Sequence, residues 1–253
     1  MTGTGDLAAA LAVSSGIVCL VGAGGKKSTM YRIISGSAAR IAVTSTVHTP
    51  PFRKRLAADV VIGSDHELLE LVGRAEDSRV VAYACPSDKR ARLAGVAPEL
   101  VRAIHETCGF DLTLVKADGA RLRHIKAPGE HEPVLPDRFD TLVSLVSVRA
   151  VGEPLDRTVA HRPELIAALT GAVPGRPLTT DHIASLLAHP KGGLKHAERA
   201  AAVVPVINMV DTPGQRQAAR LIADQVLQQA SRLDRVVLTS MVSPDPVVEI
   251  VSR

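Results

Sequence analysis

The chain has 253 residues, enough to bury a large core as one sizeable domain or as a domain with an appendage. Its formal net charge is +4, its basic residues are dispersed, and aromatic residues make up only 2% of the sequence. Because nucleic-acid surfaces concentrate cations and interleave aromatic residues, this composition argues against nucleic acid and favours a small anionic ligand.

The cysteines and the apolar runs bear on the cellular compartment. Cys19, Cys85 and Cys108 are far apart and odd in number, which predicts reduced thiols. No apolar run approaches the roughly 20 residues that a membrane span needs, and the N-terminus lacks the pattern of a signal peptide. We therefore expect a cytoplasmic protein with no membrane partner.

Short Val-rich runs alternate with Ala- and Leu-rich stretches of helical periodicity, which predicts an α/β fold. The predicted strands are residues 17–21, 40–44, 60–62, 80–84, 112–117, 141–148, 203–207, 235–238 and 247–251. The predicted helices are residues 7–13, 27–34, 67–75 (capped by Asp65), 98–108, 162–169, 180–188 (capped by Thr179 or Thr180) and 214–232. We expect a single doubly wound α/β nucleotide-binding domain, residues 1–253, with a mostly parallel sheet, P-loop-NTPase-like topology and a small helical insert at about residues 152–200.

A glycine loop follows the first predicted strand, in the stretch IVCLVGAGGKKST. Glycines let backbone N–H groups converge on phosphate oxygens, and the following helix N-terminus adds partial positive charge. The strict pattern G-x-x-x-x-G-K-[ST] is not met. If Lys26 is the phosphate lysine, Lys27 stands where Ser or Thr should follow it. In the alternative alignment, Lys27 is the phosphate lysine and Ser28 is the metal ligand. The other interpretation is a turn that only joins strand to helix. The predicted phosphate ligands are Gly22, Ala23, Gly24, Gly25, Lys26, Lys27, Ser28 and Thr29.

Asp118 ends the predicted strand 112–117, at the carboxyl edge where open α/β sheets bind ligands. A carboxylate there could hold Mg²⁺ directly or through water, with Ser28 as a second ligand. The alternative is a simple Asp-Gly turn.

The long segment 120–138 is charged and rich in Pro and Gly, which is typical of functional loops. Arg121 and Lys126 could bind an anionic second substrate or a transferring phosphoryl group, although many such charges are merely solvated. Glu130, His131 and Glu132 are a possible metal cluster, but three consecutive residues seldom converge on one ion.

Asn208-Met209-Val210-Asp211 follows the predicted strand 203–207 and approaches the N-K-x-D pattern that reads guanine, with Met209 in place of Lys. Ser240 follows the next strand, where such folds contact the same base. Asn208, Asp211 and Ser240 are therefore candidate base ligands, and a helix cap at Asp211 or Thr212 is the alternative.

Four stretches resemble the selenium-dependent hydroxylase accessory proteins of the YqeC type: VGAGGKKST, VTSTVHTPP, ADGARLRHIKAPGEHEPVLP and VINMVD. The resemblance implies a P-loop-like nucleotide site at residues 22–29, a strand-end acid at Asp118 and an Asn-Asp pair at 208 and 211. It also implies a role in the maturation of selenium-containing molybdenum hydroxylases. The chain departs from the family pattern at Lys27, at Lys116, where we expect Glu, and at Met209.

These observations lead to two expectations. In the first, the chain is an NTPase or phosphoryl-transfer enzyme that binds ATP or GTP with Mg²⁺, and Lys26, Asp118, Arg121 and Lys126 are its catalytic residues. In the second, it is a non-catalytic carrier of a nucleotide or a molybdopterin-type cofactor. In either case the expected partners are the nucleotide and a molybdenum hydroxylase or its cofactor-insertion proteins.

Overall fold

The computed structural model describes residues 6–253. Its strands are β1 (Gly16–Gly22), β2 (Ile41–Ser45), β3 (Asp59–Ile62), β4 (Val80–Ala84), β5 (Leu112–Lys116), β6 (Ile125–Lys126), β7 (Thr141–Ser147), β8 (Ala160–His161), β9 (Ala202–Asn208), β10 (Arg235–Thr239) and β11 (Val247–Ser252). Its α-helices are α1 (Leu7–Ala10), α2 (Lys26–Ser35), α3 (Asp65–Gly73), α4 (Pro98–Thr107), α5 (Pro163–Thr170), α6 (Thr180–Ala188) and α7 (Pro213–Gln229).

Nine strands form one sheet in the order β11-β10-β9-β7-β1-β5-β2-β4-β3. Neighbouring strands run parallel, except that β11 lies antiparallel on β10 at one edge. The chain builds one half of the sheet with β2 to β5, then crosses to the other side of β1 and continues with β7. Ligands of such sheets bind outside the carboxyl ends of the strands where the direction changes, here β1 and its neighbours.

Helices cover both faces of the sheet, and successive side chains of β1 point alternately into the two cores formed there. Val18 and Leu20 pack with Met30 and Ile33 of α2 on one face. Ile17, Cys19 and Val21 belong to the core on the other face, which α3, α4, α6 and α7 complete. The predicted doubly wound, mostly parallel α/β fold is confirmed.

Residues 152–200 contain α5 and α6, as expected for the helical insert, and α6 packs on α7 within the core of that second face. The predicted loop 120–138 is not wholly irregular. Its β6 pairs in parallel with β8, through Ile125 with Ala160 and Lys126 with His161. This pairing fixes the position of Lys126 relative to the sheet.

One predicted cap is wrong. The N-cap of α3 is Ser64, whose backbone N–H donates to Glu67 Oε2 at 2.9 Å, in a capping box. Asp65 lies in the first turn, and its carboxylate accepts the backbone N–H of Ala97 at 3.0 Å instead. Thr179 caps α6, which settles the choice left open there.

None of the helices in residues 6–253 has both the length and the hydrophobicity required to span a bilayer.

Candidate functional site

The glycine loop between β1 and α2 runs directly against the neighbouring strands. Gly22 has a φ of +85°, and a Cβ there would lie 2.2 Å from the carbonyl oxygen of Leu145 on β7. Gly25 has a φ of +124°, and its Cβ would lie 2.4 Å from the side-chain nitrogen of Asn208. Because both the conformation and the space exclude side chains, these two glycines are required by the path of the loop.

Three backbone donors at the start of the loop already have protein acceptors. Gly22 N–H donates to Asp118 Oδ2 at 2.9 Å, and Ala23 N–H donates to the Leu145 carbonyl at 2.9 Å. Gly24 N–H donates to the Arg123 carbonyl at 3.1 Å. These three N–H groups therefore hold the loop in place and are not directed at a ligand.

The first turn of α2 is different. Its N-cap is Gly25, which offers no side chain to cap the helix, and the first intrahelical bond runs from Thr29 N–H to the Gly25 carbonyl at 3.0 Å. Within the described part of the chain, the backbone N–H groups of residues 25–28 have no acceptor. Uncapped N–H groups at a helix N-terminus, together with the helix dipole, form a site for an anion.

Buried charges connect the loop to the end of β5. Lys26 Nζ lies 2.8 Å from Asp118 Oδ1 and also donates to the carbonyl of Gly22, the residue before the glycine turn. Asp118 is 1% exposed, and its Oδ2 lies 2.8 Å from Lys126 Nζ. Lys126 further contacts Glu132 Oε2 at 2.7 Å. The structure thus brings together Lys26, Asp118 and Lys126, three of the four predicted catalytic residues.

The pairing decides the charge of Asp118. Burial alone would raise the pKa of its carboxyl group, but Lys26 and Lys126 outweigh burial and hold that pKa below its ordinary value. Asp118 is therefore an anion whose two oxygens face two ammonium groups and the Gly22 N–H. In this arrangement each Asp118 oxygen lies against an ammonium group, and Oδ1 is a buried oxygen with no hydrogen-bond partner among the described residues. A Mg²⁺ ion bound directly to Asp118 and Ser28 would therefore have to displace one of the two lysines.

Two further lysines face the same edge of the sheet. Lys27 Nζ donates to the Pro50 carbonyl at 2.9 Å, and Lys116 Nζ donates to the His48 carbonyl at 3.2 Å. Burial first, and neighbouring cations second, lower the pKa of Lys116 to about 7 and that of Lys27 to about 8. Both shifts mean that burial and the neighbouring cations disfavour the charged form of these two side chains.

Asn208 holds the glycine loop rather than pointing away from it. Its side-chain N–H donates to the Gly24 carbonyl at 2.7 Å, and its Oδ1 accepts the Thr239 hydroxyl at 3.0 Å. Asn208 and Thr239 are both buried. The predicted base ligand thus lies at the site, with its hydrogen bonds made to the loop and to β10.

Asp211 and Ser240 also come together, as their positions after β9 and β10 imply. The Ser240 hydroxyl donates to Asp211 Oδ1 at 2.6 Å, and Arg149 lies 2.8 Å from Asp211 Oδ2. Met209 has a φ of +64° and accepts the Ser147 hydroxyl at its sulfur. A nucleotide base that bound to Asp211 Oδ2 would have to displace Arg149 from that oxygen.

The remaining predicted residues are less involved. Arg121 is exposed and has a φ of +48°, and the ion-pair partners of Asp118 among the described residues are Lys26 and Lys126 instead. Ser28 is half-buried on the first turn of α2, and the Thr29 hydroxyl donates back to the Gly25 carbonyl at 3.3 Å. The structure does not bring Arg121 to Asp118.

Sequence reasoning did not anticipate how the long loop is held. Glu132 contacts Arg162 at 2.5 Å as well as Lys126, so it is an ion-pair partner rather than one arm of a metal cluster. Among the described residues, no group of three His, Cys, Asp or Glu side chains is arranged to hold a metal. Lys195 of the insert donates to the Gly129 carbonyl at 2.7 Å. The sequence signal for these contacts was only the charge of the loop.

A cleft of about 570 Å³ opens beside this edge of the sheet. Arg149, the partner of Asp211, is part of its wall, and His124 and Gln215 line it with Val148. Small-molecule sites have volumes of this order.

The comparisons with known proteins identify the family of the chain. The model of the YqeC protein family matches residues 18–164, which is more than half of the chain and includes most of β1, the glycine loop and Asp118. The chain is 27% identical over 197 residues to the uncharacterized protein YqeC of Escherichia coli (strain K12), covering 76% of this chain and 75% of that protein. The chain belongs to the YqeC family.

Proposed function

We propose that the chain binds the phosphates of a nucleoside triphosphate, ATP or GTP, at residues 22–29. The observation that carries the proposal is the uncapped first turn of α2, whose N–H groups at residues 25–28 have no acceptor, beside the buried ammonium of Lys26. An anion at the helix start would satisfy these donors and give Lys26 a second negative partner.

The proposed role is an accessory one, in the maturation of a selenium- and molybdenum-containing hydroxylase. In the enzymatic form, Lys26 neutralises the β and γ oxygens, while Lys126, or Arg121 after movement of its exposed loop, stabilises charge during transfer. Mg²⁺ at Ser28 and Asp118 would supply further neutralisation, which requires that Asp118 first give up the Lys26 contact.

A second candidate is a carrier that binds a nucleotide or a molybdopterin-type cofactor without turnover. The observation that favours it is the state of Asp118, because each of its oxygens lies 2.8 Å from an ammonium group that Mg²⁺ would have to displace. The cleft of about 570 Å³ beside Arg149 has room for a ligand larger than the phosphates alone.

Binding is tested by titrating ATP and GTP into the purified protein and into Lys26→Ala, with Lys191→Ala as the matched control. Lys191 is exposed in the insert, so its loss removes one charge without touching the site. We expect Lys26→Ala to weaken binding at least tenfold and Lys191→Ala to leave it unchanged. Circular dichroism confirms that each variant is folded. Equal affinity of the two variants for both nucleotides would contradict the assignment.

Turnover is tested separately, by following phosphate release from bound ATP and GTP with Mg²⁺ and with a chelator. Release that requires Mg²⁺ and Lys126 supports the enzyme. Binding without release under either condition supports the carrier. The maturation role predicts that the hydroxylase made in cells without this protein is inactive, and that the purified protein restores its activity.

A further inference from the structure

Lys27, which is half-buried, and Lys116, which is buried, differ from the two other lysines of the site, Lys26 and Lys126. An ammonium has three N–H donors, yet Lys27 and Lys116 each make one hydrogen bond, to the carbonyls of Pro50 and His48. Neither forms an ion pair with a described carboxylate, whereas Lys26 and Lys126 both do. Lys116 is only 8% exposed, so water does not satisfy its remaining donors well.

The surroundings increase the positive charge. Arg53 and Arg92 are exposed, and their charges act on Lys27. The acid near Lys116 is Asp118, which Lys26 and Lys126 already contact. Among the described residues, the charges that act on the pair are therefore mostly positive, and the carboxylate that acts on Lys116, Asp118, already contacts two other lysines.

The loop that carries the two carbonyls is fixed, so this geometry is not a chance position of a mobile segment. The backbone of Thr49 exchanges hydrogen bonds with Leu93, at 3.0 and 2.8 Å. The Thr46 hydroxyl donates to the Val134 carbonyl at 2.5 Å. Held in this way, the loop orients both ammonium groups from opposite ends of residues 48–50.

We propose that the side chains of Lys27 and Lys116, which both reach the loop 48–50, form a second anion subsite that takes the oxyanion group of a second substrate. This subsite is distinct from the backbone N–H groups at the start of α2. Phosphate and carboxylate are the groups that suit it, since their oxygens accept charge-assisted hydrogen bonds from ammonium groups. The proposal rests on the proposed function only for the identity of the first ligand. It adds that the second substrate is an anion and that cations, rather than Mg²⁺, neutralise it.

The test uses inorganic phosphate as the probe and calorimetric titration of the full chain at low salt. Lys116→Met and Lys27→Met each remove one ammonium and keep a side chain of similar length, and Lys191→Met is the control for a lost surface charge. We expect the wild-type protein and Lys191→Met to bind phosphate alike, and each site variant to bind it at least tenfold more weakly. Equal binding by all three variants would overturn the proposal.

A second arm repeats the titration on protein saturated with a non-hydrolysable ATP or GTP analogue. Because the two subsites are separate, phosphate should still bind, with the same dependence on Lys116. Full competition between phosphate and the analogue would show that Lys116 contacts the nucleotide itself, which refutes a separate subsite. If the analogues do not bind at all while phosphate binding still depends on Lys116, the nucleotide proposal fails and the subsite stands.

Discussion

Asp118→Asn tests the charge arrangement at the centre of the site. Asparagine keeps the shape of the side chain, and its oxygen can still accept the Gly22 N–H that Asp118 accepts at 2.9 Å. What the substitution removes is the negative charge that lies 2.8 Å from Lys26 and 2.8 Å from Lys126. Both ammonium groups are buried, so they lose a partner that water does not replace.

The expected cost follows from that burial. Removing one partner of a buried ion pair destabilises a protein by about 3–5 kcal/mol, because the other charge stays buried. For a chain of this size, each kcal/mol lowers Tm by roughly 2–4 °C, so Asp118→Asn should lower it by roughly 6–20 °C. Lys126→Met in the same chain should restore part of the loss, since Glu132 keeps its contact with Arg162.

Urea denaturation and calorimetry measure these changes, with the exposed Asp88→Asn as a control that should stay within about 0.5 kcal/mol of wild type. The pKa of Asp118 is lowered in the folded state, so its contribution is present above the ordinary carboxyl pKa. It is lost as the pH falls through the lowered value, and the difference between wild type and Asp118→Asn should narrow there. A loss below about 1 kcal/mol at neutral pH, or a double variant no more stable than Asp118→Asn, would refute the reasoning.

Three further variants separate structural roles from binding. Asn208→Ala removes the donor to the Gly24 carbonyl and the acceptor of the Thr239 hydroxyl; we expect a loss of about 1–3 kcal/mol in urea denaturation and weaker nucleotide binding, and unchanged stability would contradict it. Gly22→Ala places a Cβ 2.2 Å from the Leu145 carbonyl at a positive φ, which should cost at least about 1–3 kcal/mol, and a variant as stable as wild type would show that the loop adjusts freely. Lys116→Met should raise Tm at pH 7, by about 2–4 °C for each kcal/mol gained, because the pKa of Lys116 is lowered to about 7 by burial and neighbouring cations. In the unfolded chain Lys116 keeps its proton up to the ordinary lysine pKa. The stability of the wild-type protein therefore rises as the pH increases from about 7 towards that value, and the stability advantage of Lys116→Met shrinks. A Tm of Lys116→Met below that of wild type at pH 7 would contradict this.

The order of elements followed from the sequence because local signals were consistent. The strand Val80–Ala84 and the helix Thr180–Ala188 lie where periodicity placed them. The cap of α3 was misplaced by one residue, since Ser64 and Asp65 are both good cap residues and only the backbone conformation at Ser64 distinguishes them.

The sequence was enough to predict which residues lie at the site, but not which contacts they make there. Lys26 and Asp118 follow the ends of neighbouring strands, so the sheet brings them together. Lys126 reaches Asp118 because β6 pairs with β8. These two strands are too short to show a periodicity that the sequence could reveal. The role of Asn208 as a clamp on Gly24 likewise depends on how closely the loop passes β9, which no local pattern encodes.

The most direct test of nucleotide binding at the glycine loop is an amide NMR titration of the labelled protein with ATP and with GTP. Our account predicts that the largest chemical-shift changes fall on the N–H groups of residues 25–28, which have no acceptor in the described structure. The N–H groups of Gly22 and Ala23, which already have protein acceptors, should change less. Saturating nucleotide that leaves residues 25–28 unchanged, or that shifts only residues elsewhere, would contradict the assignment of this loop.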